Sequence, residues 1–264
     1  MSPSWMPYRL RNHMDQRRIL RALAELDKTP ATPAVAPQRA DAELHMLLCK
    51  RDLQIGVLAM KSLLRFTPPD WAVCVSDDGS LTHADHAWID SHIPGNRRVT
   101  WPDAGGLVDM ALHDKPRLKA MYHSKYAPVC KLLHPMLLAR CNRVVVLDPD
   151  TAFFARPQKL IDFATLRHPG PWYLHDHQDE TKVVPPEVNQ ALDELAKAIA
   201  PQGRTWRLQH RLFNSGLLAY QPARLDLMLA ENICNRWRIC QPRCAPGKRA
   251  SGLGTGPRSR PVIT

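Results

Sequence analysis

Two aspartates one residue apart, Asp148 and Asp150, directly follow the apolar run Val144–Leu147. A short run of branched apolar residues that ends in polar ones is typical of a buried strand in a parallel sheet. Ligands of open α/β sheets bind beyond the carboxyl ends of such strands. Mg²⁺ and Mn²⁺ take carboxylate oxygens together with substrate phosphates. The pattern therefore predicts a divalent-metal site, and the alternative is an acidic turn whose carboxylates accept hydrogen bonds from nearby backbone amides.

A second acidic turn, SDDGS at residues 76–80, ends another apolar run. A predicted strand at 71–76 would deliver it to an edge where ligands bind, so Asp77 or Asp78 could contact a ligand there. The alternative is a turn that caps a predicted helix at 82–92.

A third polar cluster is His175-Asp176-His177, at the end of a predicted strand. In an extended strand the two histidines would share one face, where two imidazoles could bind one metal ion. We favour the simpler interpretation, a polar strand end with exposed histidines.

Residues 142–163 (NRVVVLDPDTAFFARPQKLIDF) resemble the metal-site region of GT-A glycosyltransferases, above all the glycogenin and lipopolysaccharide galactosyltransferase type. In that family a helix with a basic residue near the donor precedes the strand. Residues 124–141 (SKYAPVCKLLHPMLLARC) resemble this helix, and Lys131 matches the basic residue. The resemblance implies that Asp148 and Asp150 hold Mn²⁺ or Mg²⁺ against the donor diphosphate, with Lys131 as a second positive charge.

Three other segments resemble the same family, in the same order along the chain. Residues 43–66 and 71–82 resemble the first two strands of its nucleotide-binding half, where Asp77 or Asp78 would accept hydrogen bonds from the base or ribose. Residues 211–220 (RLFNSGLLAY) resemble the strand that lines the sugar and acceptor pocket. The sugar-pocket candidates are Asn214, Ser215 and Gly216. A glycine inside an apolar strand also indicates close approach of a ligand or another backbone.

The resemblance implies an α/β fold of the GT-A, Rossmann-like type, with a mixed, mainly parallel sheet flanked by helices. It implies a metal-dependent hexosyltransferase that moves a sugar from a nucleotide-sugar donor, a UDP-sugar first, to an acceptor hydroxyl. The family usually carries a third metal ligand, often a histidine, near the C-terminus. We find no counterpart after Tyr220, and residues 232–264 contain no His, Asp or Glu. The alternative is therefore an inactive protein of this fold that binds nucleotide sugars.

The formal net charge of +11 raises a third interpretation, binding to nucleic acid or to an anionic surface. Residues 1–31 carry six Lys/Arg against three acids, and residues 232–264 carry seven and no acid, so residues 32–231 are close to neutral. Because the excess lies in the terminal segments, we expect no specific nucleic-acid partner. Peripheral membrane contact through the basic termini stays open. The expected partners are the nucleotide-sugar and the acceptor substrate.

Composition divides the chain into three parts. Residues 1–40 are predicted to form an amphipathic helix at 9–28 that packs on the main domain, followed by a linker rich in Pro and Ala. Residues 41–237 are the predicted glycosyltransferase-like domain. Residues 238–264 are predicted to be disordered. This tail is either a basic segment for RNA or lipid, or a replacement of the domain's lost end by truncation or a frame shift. We favour replacement, since the tail begins where the family places its last metal ligand.

Hydrophobic periodicity predicts alternating strands and helices between these ends. The predicted strands are 44–49, 71–76, 97–101, 144–147, 172–175 and 212–220. The predicted helices are 52–66, 82–92, 105–121 (irregular), 123–140, 157–166, 187–199 and 222–237.

The sequence also suggests a location. No apolar run approaches the roughly 20 residues that cross a membrane, and the N-terminus lacks the apolar stretch of a secretory signal. The seven cysteines are scattered and odd in number. A reducing cytoplasm is therefore the expected compartment.

Overall fold

The computed structural model describes residues 17, 19–21, 23–35, 42–69, 71–165, 170–175, 186–199 and 213–240. The strands are β1 (Glu43–Leu48), β2 (Ala72–Asp77), β3 (Arg97–Val99), β4 (Val144–Leu147), β5 (Trp172–His175) and β6 (Phe213–Tyr220). They form one six-stranded sheet in the order β3-β2-β1-β4-β6-β5.

Helices connect and flank these strands. They are α1 (Leu53–Leu64), α2 (His83–His92), α3 (Trp101–Ala111), α4 (Pro116–His123), α5 (Ala127–Leu138), α6 (Gln158–Ala164), α7 (Pro186–Ile199) and α8 (Leu227–Cys240).

The sheet is mixed and mainly parallel. β1 runs parallel to β2 and β4, and β3 runs parallel to β2, whereas β6 is antiparallel to both β4 and β5. The chain moves outward from β1 to β2 and β3, then returns to β4 on the other side of β1. Such a reversal of strand order opens a crevice at the carboxyl ends of the strands. The predicted sheet type, with its flanking helices, is confirmed.

Alternate residues of the central strands serve two apolar layers. Leu44 and Met46 of β1 pack in the larger cluster, which also takes residues of α1, α2 and α6. On the other face, Cys74 and Val99 pack with residues of α3 and α5. Tyr122 belongs to a separate cluster built from α3, α4 and α5. The carboxyl ends of the central strands are thereby held between two packed layers.

The helical stretch predicted at 105–121 is two helices rather than one. The break falls at Lys115, which has φ −127° and ψ 69° and is followed by Pro116. A proline disfavours the helical conformation for the residue before it, while its own fixed φ suits the first position of a new helix.

Glu231 ties the last helix to the rest of the domain. This buried glutamate on α8 accepts hydrogen bonds from the backbone N–H groups of Arg117 (2.9 Å) and Leu118 (2.7 Å) at the start of α4. The first N–H groups of a helix lack partners within it, so the carboxylate serves as a remote cap. The helix predicted at 222–237 in fact begins at Leu227, behind a short 3-10 turn at Pro222–Arg224.

The segment before β1 lies along α2. Leu26 is buried in the larger core cluster, and Asp27 accepts a hydrogen bond from the indole of Trp88 (2.7 Å). The backbone N–H of Val35 donates to the carbonyl of Pro94 (3.1 Å). Residue 95 is glycine for two reasons, since its φ is +81° and a Cβ there would lie 2.7 Å from the carbonyl oxygen of Val35.

Within the part of the chain that is described, no helix has the length and apolar character to span a bilayer.

Candidate functional site

Asp148 lies at the carboxyl end of β4, where its backbone is fixed on both sides. Its N–H donates to the carbonyl of Gly216 (2.8 Å), and its own carbonyl accepts from the N–H of Thr151 (3.1 Å). Its carboxylate forms an ion pair with the ammonium of Lys131. The two side chains are 18% and 20% exposed, respectively. The strand end thus presents a charged pair that is only partly open to solvent.

Lys131 reaches this position because of its place on α5. The neighbouring residues Cys130 and Leu133 are buried in the helix layer, so Lys131 lies at the border of the buried face. Burial raises the pKa of Asp148, Lys131 opposes this rise, and the charge of Asp150 adds to it. Asp148 therefore gains from any cation placed beside it.

A metal site requires more than one ligand, and Asp150 supplies the second carboxylate. It is exposed, whereas the two residues before it, Asp148 and Pro149, are partly buried. Two carboxylates fit Mg²⁺ or Mn²⁺, which commonly complete their shell with water and substrate phosphates. Among the described residues, the one group of three His, Cys, Asp or Glu side chains close enough to share an ion lies elsewhere, at Glu43, His45 and Cys74.

That second cluster is better explained as a structural ion pair. Glu43 accepts hydrogen bonds from the Arg97 guanidinium (2.6 Å) and from the backbone N–H of Arg140 (2.8 Å), and it lies 3.2 Å from His45. Burial raises the pKa of Glu43, but the contacts with His45, Arg140 and Arg97 outweigh it and lower the pKa to about 2. Both carboxylate oxygens of Glu43 already accept hydrogen bonds and the side chain is only 1% exposed, so this site is closed to a hydrated metal ion, whereas Asp148 is 18% exposed. These residues join β1, β3 and the turn before β4, at the sheet end opposite Asp148.

Asp77 is buried and uses its carboxylate on its own turn. Its Oδ1 accepts from the backbone N–H groups of Gly79 (2.7 Å), Ser80 (3.1 Å) and Leu81 (3.2 Å). The imidazole of His86 lies 3.6 Å from the other oxygen. This arrangement matches the turn-forming alternative considered for this residue. The cap of α2 is supplied instead by Thr82, which forms a capping box with Asp85.

Asp78 is the half-buried member of the acidic turn. Its backbone N–H donates to the carbonyl of Leu48 (3.1 Å), so it lies at the carboxyl end of β1 as well as of β2. Its carboxylate accepts from the hydroxyl of Ser80 (2.5 Å), and its backbone carbonyl accepts from the ammonium of Lys125 (2.5 Å). Asp78 is therefore better placed than Asp77 to contact a ligand at this edge.

Lys125 is a residue of this edge that sequence reasoning missed. It has φ +56°, the left-handed region that a residue with a side chain rarely adopts. Its ammonium lies 5.0 Å from the centroid of the Trp101 ring, on the side of Gly79. The glycine in the acidic turn, Gly79, indicated only a turn. No sequence pattern indicated the left-handed backbone conformation of Lys125.

The sugar-pocket candidates begin β6. Gly216 is buried opposite Asp148, to which its carbonyl is bonded, and Ser215 is exposed. Asn214 is part of the strand, but its side chain is outside the described set. The structure thus brings Lys131, Asp148 and Gly216 together.

Several predictions fall outside the described residues. These are residues 9–16 of the predicted N-terminal helix, residues 36–40 of the predicted linker, the side chain of His175, the residues Asp176 and His177, and the tail from residue 241 onward.

No protein-family model and no curated protein matches this sequence. Among solved structures, the chain is similar to a galactosyltransferase in complex with donor and acceptor sugar analogues, at 15% identity and a TM-score of 0.43, over 76% of this chain and 66% of that one. Mouse xyloside xylosyltransferase 1 gives 15% identity and a TM-score of 0.43, over 76% and 72% of the two chains. Core-mannan synthase A from Aspergillus fumigatus, in its Mn and GDP form, gives 13% identity and a TM-score of 0.45, over 81% of this chain and 69% of that one.

All three of these structures are glycosyltransferases. The chain spans just under two thirds, 66%, of the length of the galactosyltransferase.

Proposed function

We propose that this protein transfers a glycosyl group from a nucleotide-activated sugar to an acceptor hydroxyl. The observation that carries the proposal is the Lys131–Asp148 ion pair at the carboxyl end of β4, beside the backbone of Gly216. Three residues from separate segments of the sequence resemblance are in contact there: Asp148 at the strand end, Lys131 on the helix and Gly216 on the later strand. The position also supports ligand binding, because proteins with open α/β sheets bind their ligands at the carboxyl ends of the strands.

Asp148 and Asp150 would hold Mn²⁺ or Mg²⁺, and the donor set fits such an ion. When bound, the cation would neutralise charge that develops on the nucleoside diphosphate as the glycosidic bond breaks. Lys131 would hold an oxygen of the same diphosphate. Its ammonium is already fixed by Asp148, so little reorganisation is needed when the donor binds.

The remaining residues of the edge would orient the donor and the acceptor. Asp78 would accept hydrogen bonds from the nucleoside. Gly216 would leave room for the sugar, because it has no side chain beside Asp148. The exposed hydroxyl of Ser215 and the amide of Asn214 would contact sugar hydroxyls. A UDP-sugar is the first donor to test, on the strength of the sequence resemblance.

The experiment is a donor assay. UDP- and GDP-sugars are incubated with the protein, Mn²⁺ and simple sugar acceptors, and released nucleoside diphosphate is measured. We expect release with one donor class and a loss of at least about a hundredfold in Asp148→Asn, the range found when a charge-stabilising group is removed from an active site. Lys159→Met is the matched control, because Lys159 lies over Trp172 of β5, two strands away from β4. Release that is equal in Asp148→Asn and in the wild type would contradict the proposal.

A second candidate is binding of nucleotide sugars without transfer. It is favoured by one observation, that within the described residues Asp148 and Asp150 have no third His, Cys, Asp or Glu close enough to share an ion. Saturable binding of a nucleotide sugar, with no diphosphate release from any donor, would support this candidate over the first.

A further inference from the structure

Lys125 stands opposite Lys131 across the end of β1. The ammonium of Lys125 is bonded to the carbonyl of Asp78, which follows β2, and Lys131 is paired with Asp148, which follows β4. β1 lies between those two strands. Neighbouring strands are about 4.8 Å apart, so the two flanking strand ends are about 10 Å apart. That gap is wide enough for a small anionic group between two ammonium groups.

The position of Lys125 is fixed by several contacts. Its backbone N–H donates to the carbonyl of Tyr122 (2.8 Å) at the end of α4, and the chain then turns through the left-handed φ of +56° into α5. The Trp101 ring beneath its ammonium is itself stacked on Tyr122, at 4.6 Å and 7°. Backbone in this region is strained for a residue with a side chain, and such strain persists where surrounding contacts hold it, often at ligand sites.

Gly79 is matched to this arrangement. It has φ +89°, and a Cβ there would lie 3.2 Å from Nζ of Lys125 and 3.5 Å from Cβ of Trp101. A side chain at residue 79 would therefore press on the lysine and strain the turn. The positive φ is the main reason for glycine here, and the end of Lys125 packs closely against it.

The charge of Lys125 is not balanced by an acid. Over the described ranges, no carboxylate lies within 4.0 Å of its ammonium, and the groups that touch it are a neutral carbonyl and an aromatic ring. Asp78 turns its carboxylate to Ser80 instead. Other lysines contrast with it, since they have acidic partners: Lys28, Lys50, Lys115, Lys119 and Lys131. An ammonium has three N–H donors, so Lys125 keeps donors for a ligand.

We propose that Lys125 is a second anion-binding residue of this edge, and that Lys125 and Lys131 together hold the diphosphate of a nucleoside diphosphate over the end of β1. The inference rests on the proposed function for the nucleoside part of the ligand. The pairing of two cations with a diphosphate follows from their placement on either side of one strand. Part of the diphosphate affinity is then independent of a divalent cation.

The test is calorimetric titration of the intact protein with inorganic pyrophosphate, UDP and uridine, in the presence of EDTA. Lys125→Met keeps the aliphatic stem over Trp101 and removes the charge. We expect it to lower the affinity for pyrophosphate and for UDP about tenfold, and to leave any uridine binding unchanged. Lys125→Arg restores a positive charge and should retain most of the affinity. Lys159→Met is the control, because it removes another lysine that lies over a tryptophan, Trp172.

The possible outcomes distinguish a failure of this inference from a failure of the proposed function. UDP binding that is the same in Lys125→Met and in Lys159→Met overturns the inference and leaves the proposed function standing. Pyrophosphate binding that depends on Lys125, with no preference for any nucleoside diphosphate, keeps the anion site and counts against the proposed function. Absence of binding for all three ligands in the wild type overturns the inference. Circular dichroism of each variant checks that the fold is intact.

Discussion

Lys131 and Asp148 form an ion pair that joins α5 to the end of β4, and each side chain is about four-fifths buried. The pair is the centre of the proposed site. It also has a structural consequence, because a partly buried carboxylate without its cation is costly. The proposed site therefore contributes to stability, and its members can be examined by folding experiments before any ligand is known.

A double-mutant cycle measures the strength of this pair. Lys131→Met should destabilise the protein at neutral pH, because it leaves Asp148 with a raised pKa and no partner. Asp148→Asn should cost less, because Lys131 can extend toward solvent. We expect a favourable coupling of about 1–2 kcal/mol from urea unfolding of the two single variants and the double variant, below the range for fully buried pairs. A coupling near zero would mean that the two charges are effectively solvated.

Glu43 predicts a specific dependence of stability on pH. Its pKa is lowered from 4.5 to about 2 in the folded state, and its side chain is 1% exposed. A carboxyl whose pKa is depressed by folding stabilises the protein above the unfolded value, and this stability is lost as pH falls through the folded one. Glu43→Gln should therefore cost on the order of 3 kcal/mol at pH 7. The difference from the wild type should shrink between pH 4.5 and 2. Thermal unfolding across that range, with Asp193→Asn as an exposed control, would show this narrowing of the difference; a constant difference would count against the ion pair.

Two glycine positions should respond in opposite directions to alanine. At Gly95 the added Cβ meets the carbonyl of Val35 at 2.7 Å, with φ at +81°, so Gly95→Ala should destabilise by about 1–3 kcal/mol. At Gly106, inside α3, no atom lies within 4 Å of the added Cβ. Gly106→Ala should stabilise by about 0.5–1 kcal/mol, because glycine is a poor helix residue. Urea unfolding of both variants gives the comparison. A neutral Gly95→Ala would contradict the close packing of Val35 against residue 95.

The features that the sequence predicted well are those that rest on local pattern. The apolar run Val144–Leu147 is a strand with the bounds expected, and the two aspartates end it at the carboxyl edge of the sheet. A run of four buried residues between polar ones leaves few alternatives. The resemblance also selected Lys131, and the structure explains why a lysine on a largely buried helix face is stable there. It is paired with Asp148.

The features that the sequence did not predict depend on contacts between distant residues. Glu43 and Arg97 are 54 residues apart, and only the order of the strands brings them together. Lys125 depends on its backbone conformation, which a lysine rarely adopts and which no composition signal marks. Asp77 and Asp78 were equivalent in sequence, and the turn geometry separates them. Asp77 is buried and its carboxylate accepts from three backbone N–H groups of the turn, whereas Asp78 is half-buried and its carboxylate bonds to Ser80.

The most direct test of the account is binding of UDP, with and without Mn²⁺, to the wild type and to Asp148→Asn. Isothermal titration calorimetry should show UDP binding that is tightened at least about tenfold by Mn²⁺ in the wild type, since Asp148 and Asp150 would hold the cation and its charge would attract the diphosphate. In Asp148→Asn that gain should disappear while the protein stays folded. A gain from Mn²⁺ that survives in Asp148→Asn, or wild-type protein that binds neither UDP nor GDP with Mn²⁺, would contradict the central claim that Asp148 anchors a nucleotide-sugar site.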